Sequence, residues 1–174
     1  MNATSQTHTA VASPLLEKAR RLGLQLPVDL ERLALERGCT YYERDLGPRV
    51  PPLREILLSN AELAVALLTP SLPPTAREIR LAAALLGAAG MHSDEIARLA
   101  AQEQCTGVVR FIAGCGRRYE PQNQFWHELL ELLPAAEVDS SRWPHPTRFI
   151  EMTGIDRGKV GFFTRWIRPQ RREA

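Results

Sequence analysis

The sequence predicts a mainly α fold: a compact multi-helix bundle of antiparallel helical hairpins, closed by a short C-terminal β-hairpin. Three observations carry that prediction. Ser59-Asn60-Ala61-Glu62 and Thr75-Ala76-Arg77-Glu78 are both capping boxes, in which a hydroxyl and a carboxylate satisfy each other's orphan backbone donors at a helix start. Each is followed by apolar residues at helical spacing, Leu63, Ala66 and Leu67 after the first and Ile79, Ala82, Ala83 and Leu86 after the second. Near the C-terminus the pattern changes, because RFIEMT and KVGFFTRWI are rich in β-branched and aromatic residues and GIDRGK between them supplies a loop.

The elements follow in order. Ser13-Pro14, then Leu15, Leu16, Ala19 and Leu22, reads as a capped helix with proline at its first position and a stop at Gly23. Residues 27–37 repeat the device with Leu30, Leu33 and Ala34 on one face and Gly38 as the stop, so the two form a helical hairpin. CTYYERDLGPRVPP mixes β-formers with glycine and prolines and is expected to be a connector with room for one short strand. The TPSLPP turn joins the two capping-box helices into an antiparallel pair, and Gly87 to Gly90 ends the second.

Beyond it, Asp94 and Glu95 stand where a helix dipole favours acids, and Ile96, Leu99 and Ala100 continue the apolar face. The next helix holds Val108, Phe111, Ile112 and Cys115 and is expected to stop near Gly114 and Gly116. Asn123 caps a last helix with Trp126, Leu129, Leu130 and Leu133 on one side, closed by Pro134. No residue signature recurs at a fixed period, which favours a compact bundle over a solenoid. The expected layout is a tail over 1–12 and a single domain over 13–174, with a helical body over 13–134 and a connector plus basic element over 135–174.

Composition narrows the function. A hydrophobic content of 44% and a charged content of 24% are those of an ordinary globular chain. The first dozen residues lack a secretory pattern and no apolar run reaches membrane-spanning length, so a cytoplasmic protein without a membrane role is expected. Cys39, Cys105 and Cys115 form no CxxC pair and read as small buried thiols. His8, His92, His127 and His145 are scattered, without HExxH spacing. GxSxG, GxxxxGK[ST] and GxGxxG are missing too. No catalytic residue, metal or cofactor is expected, and a non-enzymatic binding role is.

Charge supplies the functional signal. Over 155–174 six basic residues face two acidic ones, a net +4, so the rest of a chain of net +2 carries −2. Only Lys18 and Lys159 are lysines, so the positive charge is nearly all guanidinium, which suits planar recognition of phosphate or carboxylate.

Residues 93–112, SDEIARLAAQEQCTGVVRFI, resemble the helix-turn-helix signature of bacterial transcription regulators: an acidic start, Ile96-Ala97, small Ala101 near the turn, then Val108, Arg110 and Phe111-Ile112. The turn AQEQCTG runs one residue longer than that signature and polar Gln102 stands at an apolar position. The resemblance implies that the second helix enters a major groove, with Arg110, Arg117 and Arg118 at phosphates. The same spacing can be laid over Gly154, Ile155, Val160 and Phe163, putting Arg157, Lys159 and Arg165 toward nucleic acid, but Gly161 and the β-forming run favour a hairpin there.

A hairpin still leaves arginines available for phosphates, while Phe162, Phe163 and Trp166 are expected to be core anchors. Arg168, Arg171 and Arg172 read as a solvated tail, available for the same contacts. The two partner classes the sequence leaves open are nucleic acid, through these nine cations, and another protein, through a helical interaction or regulatory module.

Overall fold

The structure is a computed structural model that describes residues 12–42, 58–135, 138–153 and 163–170. Among them are seven α-helices: α1 (Pro14–Arg21), α2 (Val28–Glu36), α3 (Asn60–Ala66), α4 (Ala76–Leu86), α5 (Ser93–Gln102), α6 (Thr106–Tyr119) and α7 (Gln124–Leu132). An antiparallel pair follows, β1 (Ile150–Thr153) and β2 (Phe163–Trp166), in the register Ile150 to Trp166, Glu151 to Arg165, Met152 to Thr164 and Thr153 to Phe163. The fold is a mainly α bundle with a short C-terminal two-stranded sheet. Residues 1–11 of the expected tail, most of the connector over 43–57, and residues 154–162, which hold the expected loop GIDRGK, lie outside the described residues.

Both capping boxes form as their sequences require. Ser59 accepts from the Glu62 amide while Glu62 accepts from the Ser59 amide, and Thr75 and Glu78 are related in the same way. Helix α3 packs on α4 and α5 and also touches α1 and α2. Because it is enclosed on several sides, Ala64 and Val65 are buried along with the stripe of Leu63, Ala66 and Leu67. A three-residue stripe understated this helix: it is the centre of the core, not one wall.

Helix α1 is held by a residue far away in sequence. Ser13 caps it locally by accepting from the Leu16 amide at 3.1 Å, and the buried Glu103, just past α5, accepts both the Ser13 hydroxyl and the Leu15 amide, the latter at 2.8 Å. A carboxylate at a helix N-terminus is favoured by the exposed N–H groups and the dipole. Glu103→Ala is expected to lower stability by about 1–3 kcal/mol, since it strands buried donors. Thermal denaturation checks this, and a variant that melts with the wild type would contradict the assigned contact.

Two expectations change. The segment after Cys39 forms a 3₁₀ turn, Thr40–Tyr42, in place of a strand in its described part. Tyr42 is buried there, its hydroxyl donating to the Arg148 carbonyl at 3.1 Å and its ring lying under the Arg80 guanidinium. Helix α6 does not stop at its glycines but continues to Tyr119. The reason at Gly116 is tertiary: a Cβ there would stand 2.3 Å from Cδ2 of Trp126, so the glycine is what lets the α7 indole lie against the α6 backbone.

The aromatic side chains form a continuous line through the C-terminal half. Trp143 meets Phe111 at 5.0 Å between ring centroids, Phe111 meets Phe149, Phe149 stacks on Trp166 at 5.4 Å, and Trp166 meets Trp126 at 4.9 Å. Trp166 is a core anchor, as the sequence suggested, and it is 1% exposed. Its indole N–H donates to the Ala83 carbonyl at 2.8 Å, and Gly87 leaves room for the ring, since a Cβ there would lie 2.4 Å from Cδ1.

The chain after β2 is a strap, not a solvated tail, as far as it is described. The Ile167 amide donates to the Phe149 carbonyl, Arg168 Nε donates to the Gly87 carbonyl at 2.7 Å, and the Gln170 amide donates to the Gly38 carbonyl at 2.8 Å. Gly38 has a φ of +104° and lies so close to the Gln170 backbone that no side chain fits, so it both ends α2 and seats the strap. The strap thus ties the C-terminal ends of α2 and α4 to the hairpin.

Candidate functional site

The basic residues gather where the end of α6, the start of α7 and β2 converge. Gly116 touches Trp126, which touches Trp166, so the end of α6, the start of α7 and β2 meet at one aromatic junction. Arg117 and Arg118 are exposed at the last turn of α6, where the negative end of the helix dipole favours cations. Among the described residues neither forms an ion pair, and the Arg118 guanidinium lies 5.7 Å from the Tyr119 ring centroid. Arg165 is exposed and its Nε donates to Glu151 across the ladder.

Two of the nominated cations are bound within the fold. Arg110 Nη1 donates to the carbonyls of Leu130 and Leu133, both at 2.9 Å, closing the C-terminal end of α7, where carbonyls have no partner within the helix. Arg168 is partly exposed but bound: beside its bond to the Gly87 carbonyl, its Nη2 pairs with Glu120 Oε2 at 2.5 Å. Arg157, Lys159, Arg171 and Arg172 lie outside the described residues.

Glu120 is the polar hub of the junction. One oxygen, Oε2, accepts from Arg168, from the Trp126 indole at 3.0 Å and from the Asn123 amide at 3.1 Å. Burial alone would raise its carboxyl pKa, but those hydrogen bonds and the Arg168 charge outweigh it and hold the group below its ordinary value of 4.5. Arg168 is therefore held in place by a carboxylate that stays ionised.

The face of α6 that a recognition helix would present is covered. Gly107 meets Val138, with a Cβ position 3.1 Å from its nearest methyl, Arg110 is bound to the end of α7, and Phe111 packs against Trp143 and Phe149. Helices α5 and α6 are consecutive and joined by a three-residue turn, in which Gln104 takes a φ of +55°. These contacts partly cover the first turns of α6.

No family model, curated protein or solved structure matches this chain. Any resemblance to transcription regulators thus rests on residues 93–112 alone.

Sequence reasoning also missed exposed arginines. Arg142 and Arg148 stand in the connector, the latter two positions before β1, and both are exposed. A charge count opened at residue 155 left them out, and a window drawn at the connector would have included them.

Other sites hold less. The three thiols are buried, and burial pushes Cys39 and Cys105 up to about 12 and Cys115 to about 11, so none is a nucleophile at neutral pH. No group of three or more metal-ligating side chains occurs among the described residues. A cavity of about 90 Å³ between α2, α3 and α4 is lined by Leu30, Leu67 and Leu72 with Glu78 as its carboxylate, and that carboxylate is spent on the Thr75 cap. Among the described residues no helix is long and apolar enough to cross a membrane.

Proposed function

We propose that this is a non-enzymatic binding protein whose basic end engages the phosphates of nucleic acid from the junction of α6 and the hairpin, with no helix inserted into a groove. The observation that carries the reading is the adjacent, exposed pair Arg117 and Arg118, free of ion pairs among the described residues, at the end of a helix that packs on β2. Guanidinium groups on an exposed helix end can contact phosphate oxygens without reading bases, so affinity from this surface is governed by salt and weakly by sequence.

The test is fluorescence anisotropy with a labelled DNA duplex of about 20 base pairs and a single-stranded RNA, at about 50 and 200 mM salt. Binding should fall steeply with salt. Arg117→Ala with Arg118→Ala should weaken it and flatten the duplex salt dependence by ~1.8 in the log–log slope, at ~0.9 per phosphate contact. Arg110→Ala should act through stability and leave the slope unchanged. A double variant that binds like the wild type would remove the reading.

The second reading, a helical protein-interaction module, is favoured by exposed Leu132 at the end of α7 and Val138 just beyond it, 51% and 36% exposed. Absence of binding to either nucleic acid at low salt would leave that reading, and co-purification of a partner from the native host would then test it.

A further inference from the structure

The cations of the basic end are not equally available, and the difference lies in their acidic partners. Arg168 and Glu120 are locked: the carboxylate is largely shielded, accepts three donors, and the guanidinium is also bound to the Gly87 carbonyl. Arg165 and Glu151 are arranged otherwise. They face each other across the ladder on the side opposite Trp166, with the Arg165 side chain 61% exposed and the Glu151 side chain 23% exposed. The guanidinium is outside, the carboxylate is beneath it, and no other described group holds Arg165.

We propose that Glu151 is an intramolecular competitor for the anion: it holds Arg165 in the free protein and yields it to a phosphate when the basic end binds. This rests on the phosphate-binding reading of the same surface. A phosphate oxygen accepts the Arg165 N–H in place of the carboxylate oxygen. The exchange is feasible because an exposed ion pair is screened by water and weakly held, whereas Arg168 is also bound to the Gly87 carbonyl and its carboxylate to two further donors. Glu151 thereby sets how many cations are counted in the free protein, and its charge lowers affinity for any phosphate backbone.

The experiment measures binding of the same labelled duplex to the wild type, Glu151→Gln, Arg165→Ala, the two combined, and Glu17→Gln. The last removes an acid from another exposed ion pair, with Arg21 on α1, and so controls for a gain of one net charge. Glu151→Gln should bind several-fold more tightly than the wild type and more tightly than Glu17→Gln, with a salt slope steeper by up to ~0.9. The combined variant should exceed Arg165→Ala by no more than Glu17→Gln exceeds the wild type, because without its cation the competitor acts only through its net charge.

Equal affinity of Glu151→Gln and the wild type, or an equal gain from Glu17→Gln, overturns the competitor while leaving the surface intact. The binding reading itself fails separately, when loss of Arg117 and Arg118 changes nothing, and the competitor falls with it. Circular dichroism of each variant establishes that the hairpin is retained, and a Glu151→Gln protein that has lost it is replaced by Glu151→Thr, which keeps a strand-forming residue without the charge.

Discussion

Trp166→Ala is expected to cost about 3–5 kcal/mol. The indole is 1% exposed, stacks on Phe149, meets Trp126 and fills the space that Gly87 leaves open, so its removal creates a cavity at the meeting point of α4, α7 and the connector. It also deletes the bond to the Ala83 carbonyl, which retains the Gly87 amide as a partner and so is not stranded. For a chain of this size the loss corresponds to a drop in melting temperature of roughly 10 °C or more. Trp166→Phe keeps most of the packing and should cost about 2 kcal/mol or less. Two melting curves measure the difference, and equal, small losses for both would mean that the aromatic line does not bear on stability.

The second large effect is expected at Glu120. Glu120→Ala strands the indole N–H of fully buried Trp126 and removes the counter-charge of Arg168, so a loss of about 2–3 kcal/mol follows from the unmade bonds. Glu120→Gln keeps an acceptor for the indole and loses only the charge, and should fall about halfway between.

The same residue gives a pH dependence with a defined sign. Its folded pKa lies below the ordinary value of 4.5, so the folded state holds its proton less tightly than the unfolded state does. The stabilisation is fully present above the unfolded value and is lost as pH falls through the folded one. Wild-type stability should therefore decline below about pH 4.5 more steeply than that of Glu120→Gln, in which this titration is missing. Glu62 and Glu78 are also held below their ordinary values and contribute in both proteins, so the difference between the two curves isolates Glu120. Parallel curves from pH 7 to acid would show that Glu120 does not hold the strap by its charge.

Much of the architecture was legible because its determinants are local. Ser13-Pro14, the two capping boxes, Asn123 and the stops at Gly23 and Gly38 act within a few residues of themselves, and each marks a helix end where expected. The change from helical spacing to a β-forming run likewise located the hairpin, since strand preference is expressed over a handful of residues. Gly116 misled the reading for the complementary reason. A glycine that ends a helix and a glycine that admits a neighbouring indole look alike until the indole is in place.

The nine nominated cations were read from charge alone, and charge in a sequence does not say what a guanidinium touches. Arg110 and Arg168 are joined to carbonyls and to a carboxylate brought near by the fold, while Arg117, Arg118 and Arg165 remain at the surface. Glu103 was missed altogether, since its partners lie about ninety residues earlier in the chain.

By itself, then, the sequence determined the helices, their caps, the hairpin and the basic character of the C-terminal end, all of which depend on residue type and near neighbours. Only the tertiary structure decided which arginines are tied to buried partners and which stay at the surface, which glycines are contacts and which are stops, and that residues 167–170 after β2 are a strap. Those outcomes depend on burial and on hydrogen bonds between residues tens of positions apart, and such pairings exist only once the helices have packed.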